Sequence, residues 1–190
     1  FKDFSAAGVN RVSIGIQALN NQDLRALGRE HDVDEAMGAI EMSQKYFKRS
    51  NFDLIYARMG QVTSEWEAEL KKAIEMANGH LSLYQLTIEQ GTPFYGQWRQ
   101  GKLIIPSEDV SAEMYELTNN ICADYGYPAY EVSNYARKGK ESRHNLTYWN
   151  YGDYLGIGAG AHGRITVDGE TYATIQNKKP EIWLKNVTEI

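Results

Sequence analysis

The chain has 190 residues, 42% of them hydrophobic and 12% aromatic, enough for a sizeable core and too apolar for disorder. Its formal net charge of -5 leaves no basic footprint for nucleic acid or an anionic membrane surface, and no apolar run approaches the length of a membrane span. The single cysteine, Cys122, excludes an internal disulfide framework and any multi-cysteine metal site within these residues, and the lack of disulfides suits a cytoplasmic location. No signal peptide is visible, and a chain that begins at Phe1 in mid-passage from helix to strand is expected to be an internal fragment of a longer protein.

In Arg11–Gln17, Val12, Ile14 and Ile16 alternate with Arg11, Ser13, Gly15 and Gln17, so a strand with two unlike faces is predicted. The plain alternative for the polar face is solvent. Ser13 and Gly15, however, leave room for something to lie against the backbone, and Gln17 ends the strand with an amide that both donates and accepts. Ligands sit at the carboxyl ends of parallel barrel strands, so Gln17 is a candidate ligand residue, and Arg29, at the end of the following short helix, is a second.

Asp32 and Glu35 form a capping-box-like start to a helix carrying Val33, Met37, Ile40, Gln44 and Phe47. Asn51–Tyr56 is the second strand. Asp53 lies in the middle of it, where a carboxylate is costly unless paired or hydrogen-bonded, and is therefore a site candidate, with a structural acceptor as the plainer role. Thr63 or Ser64 caps a third helix with Trp66, Leu70, Ile74 and Ala77 on its buried side, and Asn78-Gly79 ends it.

His80–Glu89 is the third expected strand. Leu81, Leu83, Gln85, Thr87 and Glu89 share a face that turns from apolar to polar, as at a barrel mouth. Ser107 caps a helix whose stripe is Val110, Met114, Leu117 and Ile121, which makes Cys122 an inert core thiol. His31 and His80, at element ends, are expected to be ordinary surface or capping residues.

The repeated strand–helix units predict parallel strands with helices outside, in an α/β barrel or a doubly wound sheet. After Tyr127 the character becomes antiparallel and glycine-rich. A strand is expected over Ala129–Ala136, an irregular segment over Arg143–Trp149, and a hairpin turn at Asp168-Gly169. Gly156, Gly158, Gly160 and Gly163 lack the Lys-Ser/Thr of a phosphate loop, so they read as a ladder that admits a flat ligand or another backbone.

Val9–Gln17, Gly28–His31, Phe52–Tyr56, Leu83–Glu89, His144–Trp149 and Leu155–Gly163 together resemble the radical S-adenosylmethionine family of oxygen-independent coproporphyrinogen III oxidases, and within it the haem-chaperone (HemW) branch. The ordered match runs along almost the whole chain. It implies an α/β fold, the C-terminal part of an incomplete TIM-like radical-SAM barrel followed by a smaller mixed α+β region. Residues 1–98 would supply the later strand–helix units and residues 99–190 the start of the C-terminal region. The family also implies S-adenosylmethionine, a 4Fe-4S cluster on a Cys-x3-Cys-x2-Cys loop, and haem. No such loop lies in this chain, so the cluster ligands are expected outside it, and the stretch alone is expected to be inactive, with no catalytic residue and no metal ligand of its own.

By resemblance Gln17, Arg29 and Asp53 match the family's S-adenosylmethionine contacts, and Thr87 falls at a further contact made through a small residue. His144, beside Tyr148 and Trp149, and its rival His162, within the glycine ladder, are candidate axial ligands to haem iron. Implied partners are haem and haem-acceptor proteins such as respiratory cytochromes, with a dimer as one assembly and with neither nucleic acid nor stable membrane insertion. Two functions stay open, a chaperone that transfers haem and an oxidase that decarboxylates coproporphyrinogen III. The string His144-Asn145-x-x-Tyr148-Trp149 resembles the chaperone branch. The chain departs from the family in lacking prolines at Met59, Gln90 and Ala159, which loosens three turns without touching the candidate ligand side chains.

Overall fold

The computed structural model describes residues 1–188. Its elements run α1 (Lys2–Ala6), β1 (Arg11–Gln17), α2 (Asn21–Ala26), α3 (Val33–Tyr46), β2 (Arg49–Tyr56), α4 (Thr63–Met76), β3 (His80–Gln85), α5 (Pro93–Arg99), α6 (Glu108–Asp124), β4 (Asn134–Ala136), α7 (Arg143–Trp149), β5 (His162–Val167), β6 (Glu170–Ile175) and α8 (Pro180–Thr188). Local chemistry sets most helix starts. Asn20 accepts the Asp23 amide at 2.8 Å to cap α2, Asp32 and Glu35 close a capping box on α3, and Ser107 caps α6. α4 starts one residue earlier than its Thr-Ser pair suggests: Val62 is the N-cap, and the Glu65 carboxylate accepts the Val62 amide at 3.2 Å.

The chain divides into two compact units, Phe1–Glu141 and the stretch from Ser142 onward. In the first unit the sheet order is β1-β2-β3-β4, with the first three strands parallel and β4 antiparallel on β3. Ile16, Phe52, Leu54, Leu81 and Leu83 are buried together with Ala36 and Ile40 of α3, Trp66 and Leu70 of α4, and Met114 and Cys122 of α6. Trp66 stacks on Tyr56 with centroids 5.2 Å apart, and its Nε1–H donates to Thr118 Oγ1 at 2.8 Å, which ties α4 to α6. The unit therefore continues past residue 98, the boundary expected from sequence, because α6 and β4 complete its core and its sheet.

The other sheet face carries Ser13, Gly15, Asn51, Asp53 and Ser82. Pairing aligns Gly15 with Asp53, Asp53 with Ser82, and Ser82 with Asn134, a single row across four strands. β3 stops at Gln85, so the expected continuation to Glu89 is coil, and Tyr84 and Gln85 at its end are exposed. The strand expected over Ala129–Ala136 shrinks to Asn134–Ala136 because the segment folds back on itself: the Tyr130 amide donates to Asn134 O at 3.1 Å, and Ala129 bridges Tyr135.

In the second unit Arg143–Trp149 is helical rather than irregular, since Ser142 caps it by accepting the Asn145 amide at 3.4 Å. β5 and β6 form the expected hairpin, with Asp168 (φ 52°) and Gly169 (φ 84°) both left-handed, as a type I′ turn requires. The glycine ladder admits a backbone: a Cβ on Gly156 would lie 2.3 Å from His162 O, and one on Gly163 would lie 2.7 Å from Gly156 N. Tyr154 and Arg164 exchange backbone hydrogen bonds of 2.8 and 2.9 Å beside this approach.

Candidate functional site

The polar row is built around Asp53. Ser13 Oγ donates to its Oδ1 at 2.9 Å and Asn51 Nδ2 at 3.1 Å, and Ser82 on β3 is a further hydrogen-bonding neighbour of the carboxylate. Asn51 Nδ2 also lies 3.0 Å from Ser82 Oγ, which donates to Asn134 Oδ1 at 2.7 Å. The Arg11 guanidinium reaches Asn51 Oδ1 at one end of this network, and Asn134 reaches the Glu131 carboxylate at the other. Burial raises the Asp53 pKa, while the hydrogen bonds from Ser13, Ser82 and Asn51 and the charge of Arg11 act against that rise. One carboxylate is thus fixed in place by its own strand and its neighbours.

Beside it, the pairing of β1 with β2 slips between Gly15 and Gln17, and Gln17 takes φ 74°. A left-handed glutamine at a strand end is a strained conformation of the sort that clusters at ligand sites. Its side chain folds over Gly15, so that a Cβ on Gly15 would come 2.6 Å from Gln17 Nε2. Gln17 and Asp53 therefore flank the same bare stretch of backbone. His31 Nε2, 3.1 Å from Ile16 O, fastens the Gly28–His31 turn to the end of β1, and the exposed Arg29 side chain stands on that turn without an ion pair among the described residues. Thr87 lies beyond the end of β3, exposed, with its Oγ1 3.4 Å from Gln85 O.

His144 and His162 belong to the second unit. His144 is exposed on α7 and its ring meets Tyr148 edge-on at 4.7 Å, and Tyr148 in turn packs on Tyr154 at 4.5 Å. His162 opens β5, exposed and paired with Ile175. His80 is not the surface residue expected. It is 3% exposed, its Nε2 is 2.7 Å from the Tyr130 hydroxyl, and its Nδ1 is buried without a partner.

Sequence reasoning passed over Asn51, Ser82 and Asn134, whose only signal is a polar residue at the same register position on neighbouring strands. It also missed Arg58. That guanidinium is buried and holds Asp23 Oδ2 at 2.6 Å, Glu69 Oε2 at 2.5 Å and Ile55 O at 2.5 Å. An open cleft of about 630 Å³ lies over this ion network, and neither Gln17, Arg29 nor Asp53 lines it.

No family model matches the chain. Zebrafish (Danio rerio) radical S-adenosyl methionine domain-containing protein 1, mitochondrial, is 41% identical over 191 residues, covering 98% of the chain and 43% of that protein. The heme chaperone HemW of Escherichia coli is 40% identical over 182 residues, covering 95% of the chain and 47% of that protein. Along nearly its whole length the chain is homologous to these radical SAM and HemW proteins. It spans less than half the length of each of these relatives. Coproporphyrinogen III oxidase (HemN) from Escherichia coli, a radical SAM enzyme, superimposes with a TM-score of 0.73 at 22% identity, over 97% of the chain and 44% of that structure, which shows the shared fold. With the helices packed on its apolar side, the polar face of the sheet is the inner face of part of a barrel of this fold.

The residues present fit S-adenosylmethionine. The Asp53 carboxylate can accept from an ammonium or a ribose hydroxyl, the Gln17 amide can donate and accept, and Arg29 can hold a carboxylate bidentately. They do not fit a cluster. Among the described residues no group of three His, Cys, Asp or Glu could hold a metal ion, and burial pushes the lone Cys122 thiol up to about 12. No helix among the described residues is long and apolar enough to cross a membrane.

Proposed function

We propose that this chain supplies one wall of the S-adenosylmethionine pocket in a haem-chaperone-type radical SAM protein, which binds haem and delivers it to acceptor proteins. The observation that carries the pocket is the pairing of a hydrogen-bonded Asp53 carboxylate with the strained Gln17 across Gly15. The chaperone reading is supported by 40% identity to HemW, against 22% to the oxidase whose fold is shared. Gln17 and Asp53 bind and orient the polar groups of S-adenosylmethionine, Arg29 holds its carboxylate, and Thr87 lies at the rim. When bound, S-adenosylmethionine supplies a reducible sulfonium. These residues hold it and do not themselves exchange electrons.

In the intact protein, Asp53→Ala should weaken S-adenosylmethionine binding by about 1–3 kcal/mol, roughly five- to more than a hundredfold, as read by calorimetry. Unchanged affinity with the fold intact refutes the pocket. For haem, the exposed His144, edge-on to Tyr148, which itself packs on Tyr154, is the proposed axial ligand. His144→Ala should abolish most of the haem-dependent Soret shift and leave S-adenosylmethionine binding intact. A wild-type spectrum moves the assignment to His162, tested in the same way with His162→Ala.

A further inference from the structure

The ion network under β1 bears on this pocket. Glu69 uses both oxygens: Oε2 takes Arg58 at 2.5 Å, and Oε1 accepts the backbone N–H of Leu19 at 2.6 Å. Leu19 is buried, two residues beyond the left-handed Gln17. Arg58 also holds Asp23 through Nε at 3.0 Å and a terminal nitrogen at 2.6 Å, and Asp23 Oδ2 accepts from Asn20, the cap of α2, at 2.7 Å. The loop that begins after Gln17 and leads to Arg29 is thus tied at Leu19 and again at Asp23 to one buried guanidinium. A buried ion cluster of this kind is a poor source of stability, since apolar residues of similar volume do as well or better. What it provides is a fixed position.

We infer that Glu69, held by Arg58, is a positioning residue for the S-adenosylmethionine pocket: by accepting the Leu19 amide it fixes the turn that sets the Gln17 side chain over Gly15. This rests on the pocket reading above. Among the described residues Glu69 hydrogen-bonds neither Gln17 nor Asp53 and acts through the Leu19 backbone.

The test compares two pairs in the intact protein, Arg58→Leu with Glu69→Gln and Arg58→Leu with Glu69→Met. Both remove the Arg58–Glu69 ion pair, but only the glutamine keeps an acceptor for Leu19. Thermal unfolding should place the two pairs within a few degrees of each other. Calorimetry with S-adenosylmethionine should show the glutamine pair within about threefold of wild type and the methionine pair weakened about tenfold, a difference of one hydrogen bond. Equal affinity in the two pairs, whether strong or weak, overturns the inference. Asp53→Ala in the same series separates the two claims. If it too binds normally, the pocket reading fails, and hydrogen exchange of the Leu19 amide in the unliganded protein then judges the tether: slow in wild type and the glutamine pair, fast in the methionine pair. Equal exchange overturns it. Should the methionine pair fail to fold, Glu69→Gln against Glu69→Ala with Arg58 in place makes the same comparison.

Discussion

Lowering the pH from 6.5 to 4.5 should cost the first unit stability through His80. Burial first, then the guanidinium groups of Arg11 and Arg49, push this imidazole from its ordinary 6.5 down to about 3. Between those two values the folded protein keeps His80 neutral, whereas the unfolded chain takes up a proton. Unfolding therefore binds a proton, and stability falls as pH falls through that window. With the unfolded value near 6.5, moving from pH 6.5 to 4.5 costs about 2 kcal/mol, approaching the limiting slope of about 1.4 kcal/mol per pH unit. The comparison is with His80→Gln, whose amide can still meet the Tyr130 hydroxyl but does not titrate. Carboxylates common to both proteins cancel in the difference. Urea unfolding of each at a series of pH values should show wild type losing about 2 kcal/mol relative to His80→Gln over this range. Parallel stability curves would mean that His80 is not held neutral and that its burial has been misjudged.

Gly15→Ala introduces no left-handed strain and meets only the flexible end of Gln17, so it should displace the Gln17 amide and weaken S-adenosylmethionine binding by about three- to tenfold with little change in melting temperature. Calorimetry beside thermal unfolding reads both quantities, and undiminished affinity removes Gln17 from the pocket. Cys122, with its thiol buried and pushed up to about 12, should resist iodoacetamide at pH 8 until urea unfolds the chain. Mass spectrometry showing prompt labelling of the native protein would contradict its place in the core.

Elements whose signals are local were legible in the sequence. The alternation in β1, the Asp32–Glu35 box before α3, the Ser107 cap of α6 and the Asp168-Gly169 turn all act within a few residues. Where a non-local partner decides, reading the chain fell short. β3 ends at Gln85 because its last ladder partner is Tyr56, where β2 ends, and nothing in Leu86–Glu89 announces that limit. α7 had a local signal in Ser142 that the neighbouring glycines and lysines obscured. At the site, Gln17 and Asp53 stood out as polar residues on apolar strands, but only the strand register shows that Gly15, Asp53, Ser82 and Asn134 form one row. Arg58 in a turn looks like solvent-exposed charge until Asp23 and Glu69 arrive from elements 35 and 11 residues away.

The strands of the first unit stand side by side in the order in which they occur along the chain. During synthesis β2, β3 and β4 therefore each meet a neighbour that has already emerged, while the outer edge of β3 stays unpaired until Asn134–Ala136 arrives. The polar row matures in the same direction. Ser13 and Asn51, which offset the burial of the Asp53 carboxylate, lie on the first two strands, so these two donors are translated before Ser82 and Asn134 extend the network.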